Sequence, residues 1–310
     1  MTHPSAARPA RLTVGLIGAG RAGSVVAAAL ARAGHQVVSA SAVSADSRAR
    51  AAALIPQAII ADPVAVAAGC ELLIVAVPDD VMPELVAGLC SIGSIRAGQF
   101  VVHLSGRHGI EVLDRAAELG AHCLALHPAM TLTGAAYEVD RFDGCPFAVS
   151  SSDELRPVAE ALVLEMGGEP EWITAQQRVM YHAALCHASN HLVTLIAQSQ
   201  DLLKGVGVAS PGRYLGPLLS ATLDNALRAS DAALTGPVSR GDAGTVGAHL
   251  AAISDVDDSA SVASIARTYA ALATATAIRA HDAGRITAAQ TDAVIDAVER
   301  SSGTTTGGSR

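Results

Sequence analysis

The chain has 310 residues, half of them hydrophobic, with a formal net charge of −8 and a single lysine, Lys204. That length exceeds what one core fills, so two domains are expected, and the apolar half excludes a disordered chain. The acidic balance, with no basic run, excludes a nucleic-acid binder that works through the phosphate backbone. Cys70, Cys90, Cys123, Cys145 and Cys186 lie far apart with no CxxC pair, which suits core thiols in a reducing cytoplasm better than a disulfide framework or a metal site.

The N-terminus, "MTHPSAARPARLTVGLIGAGR", has no cleavage signature, and its apolar stretch is broken by glycine, so residues 1–10 are expected to be a disordered leader before a strand. Short β-branched runs then alternate with alanine-rich helical segments: "LTVGLI", "AGSVVAAALARAG", "HQVVSAS", "ELLIVAVP", "QFVVHLSG", "AHCLALHP" and "PFAVSS". This alternation predicts βαβ units on a parallel sheet, and the nearly all-apolar strands require a sheet covered on both faces.

The first βα junction, "VGLIGAGRAG", places Gly18, Gly20 and Gly23 in GxGxxG spacing, with Ala19, Arg21 and Ala22 completing the loop. A first glycine permits the tight turn, a second lets backbone approach a pyrophosphate, a third lets the helix pack closely, and the helix N-terminus attracts the anion. With a strand before it and a helix and second strand after it, the loop predicts dinucleotide binding. An NAD site ends its second strand in an acid, whereas here none precedes Asp46; Arg21, Ser44 and Arg48 are placed to hold a 2′-phosphate, which points to NADP. A solvated Arg48 on the next helix is the competing reading.

Ligands bind at the carboxyl ends of such strands, so Val77, Pro78 and Ser105 are expected as walls for the nicotinamide half. His103, inside an apolar strand, reads as a hydrogen-bonded core residue. His127 ends the next strand and either touches substrate or serves a structural role before Pro128.

From "EWITAQQ" onward helical periodicity dominates, which puts a boundary near residue 170, with a last strand around Trp172. The expected organisation is a dinucleotide-binding α/β domain over 11–170 and an all-helical domain over 171–300 for substrate and dimerisation. The glycine-rich residues 301–310 are expected to be a disordered tail.

The longest uncharged segment, "VMYHAALCHASNHLVTLIAQSQ", is too rich in histidine and amides to suit a membrane. On a helix, Ser189 lies about 20° and Asn190 about 80° from His182, so one side presents an imidazole, a hydroxyl and an amide. A carbonyl reductase can use that set: the imidazole donates a proton and the amide stabilises the developing oxyanion. The alternative is that these groups cap or bridge helices. His187 and His191 lack the glutamate and further ligand that a metal site needs.

"GLIGAGRAG", "VAVPDD", "HLSG", "LHPAMTL", "YHAALCHASNHLVTL" and "LTGPVSRGD" follow one another as in the Rossmann-like proteins that carry a C-terminal domain of unknown function, a family this chain resembles over residues 11–255. That family is similar in layout to ketopantoate reductases, hydroxyisobutyrate dehydrogenases and pyrroline-carboxylate reductases. The resemblance implies a homodimer formed through the helical domain and NADPH-dependent reduction of a small 2-keto acid, with ketopantoate in pantothenate synthesis as the leading substrate. The related enzymes carry a lysine four residues before an asparagine on this helix, a place held here by Cys186. Lys204 lies about 21 Å past Asn190 along a continuous helix and cannot substitute, so His182 is expected to donate the proton.

In "LTGPVSRGD", Thr235, Gly236 and Pro237 are expected to end one helix and Asp242 to cap the next, leaving Arg240 exposed. A guanidinium there suits bidentate binding of a substrate carboxylate, and His249 is expected to face the same cleft; an Arg240–Asp242 pair that stiffens the loop is the alternative. Competing functions are a prephenate dehydrogenase-like or imine reductase activity, or an NADPH-binding sensor without turnover.

Overall fold

A computed structural model describes residues 11–256 and 260–303. The expected leader, 1–10, and residues 304–310 of the expected tail lie outside the described residues; residues 301–303 continue the last helix.

The chain divides into two compact units at Ser189/Asn190. In the first, eight strands form one sheet: β1 (Thr13–Ile17), β2 (Gln36–Ser41), β3 (Ile59–Ile60), β4 (Leu72–Val75), β5 (Phe100–His103), β6 (His122–Pro128), β7 (Pro146–Ser150) and β8 (Glu169–Trp172). Their order is β3-β2-β1-β4-β5-β6-β7-β8. The helices between them are α1 (Arg21–Arg32), α2 (Ala45–Leu54), α3 (Pro63–Ala68), α4 (Met82–Ser91), α5 (Asp114–Glu118) and α6 (Arg156–Glu165). Two buried clusters flank the sheet. One packs Val25, Ala29 and Leu30 of α1 against Leu16, Ile74 and Phe147, and the other packs Val66, Met82, Val86 and Leu113 against Leu73 and Val101. Burial on both faces is why β1, β4 and β5 read as unbroken apolar runs.

Two sequence expectations are corrected in this unit. The sheet is not wholly parallel, because β7 runs antiparallel to β6 while the other pairs are parallel. The β6–β7 connection contains only a 3-10 stretch, Ala136–Phe142, and no crossover helix, so the chain returns along the adjacent edge. The two-residue β3 was also not anticipated; its isoleucines are exposed and lack the length of a periodic signal.

A long helix, α7 (Ala175–Gly205), starts in the first unit and continues into the second. The second unit adds α8 (Pro211–Ala229), α9 (Ala243–Ser254), α10 (Ala260–Asp282) and α11 (Ala288–Gly303). Val246 and Leu250 of α9, Ala273, Ala277 and Ala280 of α10, and Val294 and Val298 of α11 form its core. Alanines at the α10 contact allow close helix approach, which is how a chain with 3% aromatics fills its interior. Thr235–Gly236–Pro237 does not end a helix: α8 stops at Ala229, where Ser230 takes a positive φ of 46°, and a 3-10 turn, Ser230–Ala233, leads into the loop.

Candidate active site

The strand order reverses at β1 and β4, which opens the crevice where doubly wound sheets bind ligands. The glycine loop sits there. Gly18 has φ +94°, and a Cβ on it would stand 2.5 Å from the Ala76 carbonyl oxygen. A Cβ on Gly23 would stand 2.4 Å from the Gly18 oxygen. At Gly20, by contrast, an added Cβ would meet only the Gly18 oxygen, at 3.9 Å, so backbone is open to close approach from outside. Gly20 is also the N-cap of α1, which has no side-chain cap and no acid in its first turn. Its first-turn N–H groups and positive dipole end therefore suit an anion. Ala19 is buried and donates its N–H to the Ser41 carbonyl, tying the loop to the end of β2; Ala22 is half-buried and lines the crevice.

Three arginines lie at the start of α1 and along α2. Arg21 is exposed at the first position of α1. Arg48 is exposed, and its Nε donates to the Ala42 carbonyl at 3.3 Å. Arg50 was missed in the sequence. A Cβ on Gly134 would lie 2.5 Å from Arg50 Cδ and 3.5 Å from Arg21 Cα, so the Arg50 side chain passes beside the start of α1. Its Nε is buried and has no hydrogen-bond partner. Ser44 caps α2, accepting from Ser47 N, and remains exposed. The first acid after β2, Asp46, lies in the first turn of α2.

At the other end of the crevice a cavity of about 110 Å³ is lined by Ala22, Val75, Ala76, Val77, Asp79, Leu104 and Ser105. Pro78, by contrast, is exposed and starts the turn into α4 by accepting from Val81 N and Met82 N. Ser105 Oγ accepts from the N–H groups of Arg107 and His108, fixing the loop after β5. His103 is fully buried: its Nδ1 accepts from Ser105 N at 3.1 Å and its Nε2–H donates to the Gly109 carbonyl at 2.8 Å. Burial drives its pKa down to about 3 against the Gly109 bond, so it is a neutral structural residue.

Beyond β5 lies a cluster of rings. His127 Nδ1 is 2.9 Å from Tyr181 Oη, and the His127 ring meets His182 edge-on at 5.8 Å. Burial first, then His182 and Arg178, lower the His127 pKa to about 4. Burial raises that of Tyr181 to about 12, against Arg178. Gly106 fits between the two imidazoles, since a Cβ there would stand 2.7 Å from His182 Cδ2 and 2.8 Å from His127 Nε2. His182 Nε2 lies 3.6 Å from Cys186 Sγ, and Ser189 Oγ lies 2.8 Å from Thr131 Oγ1. Asn190 is exposed on the next position of α7, in the second unit.

Arg178 anchors this cluster. Fully buried, it donates from Nε to Ser150 Oγ, from Nη1 to the Ser105 carbonyl, and from Nη2 to the Ala125 and Ala148 carbonyls. Burial lowers its pKa to about 10, so it stays charged at neutral pH. In the sequence Arg178 looks like any arginine on a helix surface, and Tyr181 like a packing residue; no local signal marks either.

In the second unit a groove of about 430 Å³ is lined mainly by apolar side chains, among them Leu195, Leu202, Ile265 and Leu272, with Thr235 and His249 also on its wall. His249 Nδ1 lies 2.7 Å from Tyr269 Oη, another lining residue. Asp242 caps α9, accepting from Thr245 N and Thr245 Oγ1, bonds that hold its carboxyl below the usual range. Arg240 is exposed, its carbonyl accepts from Gln290 Nε2, and it forms no ion pair with Asp242. Neither Arg240 nor Asp242 lines the groove.

These features define a doubly wound α/β unit with a dinucleotide-type glycine loop, followed by a helical unit. Residues 1–128 match the Rossmann-like domain and residues 145–276 match a domain of unknown function, DUF2520. No curated protein matches the chain significantly. Among solved structures, a Bacteroides fragilis protein named as a candidate NADP oxidoreductase shares 23% identity and superposes with a TM-score of 0.73, over 86% of this chain and 98% of its own. An imine reductase from Pseudomonas sp. shares 17% identity with a TM-score of 0.54 over 96% of each chain. A Plasmodium falciparum pyrroline carboxylate reductase, solved with NADP bound, shares 11% identity with a TM-score of 0.53 over 86% of this chain and 98% of its own. At these identities the likeness is one of fold. Among the described residues, no helix is long and apolar enough to cross a membrane.

Proposed function

We propose that the protein is an NADP-dependent oxidoreductase that reduces a small 2-keto acid, with ketopantoate as the leading substrate. The observation that carries the cofactor assignment is an uncapped α1 N-terminus at Gly20, with Arg21 and the Arg50 side chain at the start of α1, Arg48 at the Ala42 carbonyl just after β2, and no acid at the β2 end. Gly18, Gly20 and Gly23 with the first turn of α1 would hold the pyrophosphate; the three arginines and Ser44 would hold a 2′-phosphate; Val77 and Ser105 would flank the nicotinamide. A reduced nicotinamide bound there would supply a hydride to a carbonyl carbon. The imidazole pair His127–His182 supplies the proton, with Ser189 and the Asn190 amide further along α7. Within the second unit, the exposed guanidinium of Arg240 is of the kind that binds a carboxylate, and Thr235 and His249 line the groove. The keto-acid choice rests on Arg240 and on the family resemblance of the sequence.

Imine reduction is the second reading, favoured by one observation: the groove that holds Thr235 and His249 has no arginine or lysine in its wall. Titration calorimetry with NADPH and NADH, then NADPH oxidation with ketopantoate and with 1-pyrroline, separates the readings. We expect NADPH to bind more tightly than NADH, Arg50→Gln to erase that preference, and ketopantoate to be turned over. Turnover of the imine alone would move the substrate assignment, binding without any turnover would indicate a sensor, and no binding would refute the proposal.

A homodimer through the helical unit completes the reading. Leu215, Leu219, Leu223 and Leu227 form an i, i+4 stripe along α8, yet Leu223 is 53% and Leu227 80% exposed within one chain. Sedimentation of the wild type and of Leu223→Glu/Leu227→Glu tests it, a monomeric wild type being the contrary result. A cytoplasmic location fits the five free thiols.

A further inference from the structure

We infer that Tyr181, His127 and Arg178 form a proton relay for the carbonyl reduction proposed above, on which this inference rests: His127 Nε2 gives the proton to substrate, and Tyr181 resupplies the ring through Nδ1. Two contacts and one neighbour in the chain carry it. Tyr181 Oη is at hydrogen-bond distance, 2.9 Å, from Nδ1. Nε2 is the ring atom next to Gly106, where a Cβ would stand 2.8 Å away, so any side chain at this position would press on that nitrogen. Gly106 directly follows Ser105, a wall of the cavity at the β4 and β5 ends.

Arg178 favours negative charge on the Tyr181 oxygen, against burial, which raises the phenol to about 12. Burial, with His182 and Arg178 nearby, holds His127 neutral, so one nitrogen donates while the other accepts; Asp79 acts in the opposite sense and more weakly. Tyr181 is a full phenol at neutral pH and is half-buried, with a route to solvent. Arg178, three residues earlier on α7, is a buried cation whose hydrogen bonds go to three carbonyls and a hydroxyl rather than to a carboxylate. An uncompensated buried charge is costly, and it is of use where negative charge develops during reaction.

The balance is as follows. Hydride adds to the carbonyl carbon and the C=O π electrons move to oxygen. That oxygen takes the Nε2 proton as Nδ1 takes the phenolic proton, leaving a neutral ring and a phenolate beside Arg178. Nδ1 then returns its proton to the phenolate, and solvent reprotonates Nε2. His127 is the catalytic residue of this step, and Tyr181 and Arg178 are positioning residues.

Tyr181→Phe, His127→Asn and the double variant test the relay with ketopantoate and NADPH, alongside ¹⁵N-histidine NMR of the whole protein at pH 7 with and without NADP⁺. Each single variant is expected to lower kcat about 100-fold, with KM and NADPH affinity within about threefold. The double variant should be no slower than the slower single, because the two groups act in series. The His127 resonances should show the Nε2–H tautomer in the wild type and a mixture in Tyr181→Phe. Multiplying effects in the double variant, or a wild-type His127 protonated on Nδ1, overturns the relay alone. A wild type that oxidises no NADPH with keto acid or imine overturns the reductase reading and the relay with it.

Discussion

Replacing His103 by glutamine should change how the protein's stability responds to acid. The native imidazole is fully buried, and its neutral form bridges Ser105 N and the Gly109 carbonyl, so it resists protonation down to a pKa of about 3. In the unfolded chain histidine titrates near 6.5. Between those values the unfolded state binds a proton that the native state does not, so stability falls as pH falls. At about 1.4 kcal/mol per pH unit, the loss reaches about 2 kcal/mol at pH 5 and saturates near 5 kcal/mol below pH 3. Urea unfolding of wild type and His103→Gln at pH 7.5 and 5.0 isolates this contribution, because His127, lowered to about 4, is common to both proteins. At pH 7.5 the variant should be about 1–3 kcal/mol less stable, from a hydrogen bond lost in a buried site. At pH 5.0 that gap should shrink by about 2 kcal/mol. Equal acid sensitivity in the two proteins would refute the reasoning, since His103 would then be protonated as readily folded as unfolded.

Three further outcomes follow from the geometry. Gly23→Ala sets a methyl 2.4 Å from the Gly18 oxygen and 2.8 Å from Ala76 Cβ, so it should cost about 1–3 kcal/mol in urea unfolding and weaken NADPH binding in calorimetry. Arg178→Met keeps the aliphatic stem but strips the donors from the Ser105, Ala125 and Ala148 carbonyls and from Ser150; unfolding should show a loss of about 1–3 kcal/mol, the scale for buried acceptors left unpaired. Asp242→Ala removes the cap of α9 and should cost about 1 kcal/mol, seen in thermal unfolding, with NADPH affinity unchanged.

The glycine loop, the strand sequence of the first unit and the Asp242 cap were legible because each depends on neighbours in the chain. Spacing, period and capping chemistry act over a few residues, so residues 13–41 and 242–245 carry their own instructions. The family resemblance extended this to the order of motifs across both units. The arginine set was half legible: Arg21 and Arg48 follow the loop and strand in sequence, whereas Arg50 reaches the start of α1 only because the turn at Gly134 folds back beside it. The antiparallel β7 depended on a connection too short in helix to cross over, and the early end of α8 on one backbone angle at Ser230.

The sequence by itself determined the dinucleotide unit, because local periodicity and glycine spacing are properties of adjacent residues. Only the tertiary structure decided what surrounds His127. His127, Gly106, Arg178 and Tyr181 come from two strand ends and a helix up to 75 residues apart in the chain, Gly106 to Tyr181. Whether an arginine faces water or three carbonyls is set by what folds over it. Burial, not residue type, makes His127 a neutral imidazole.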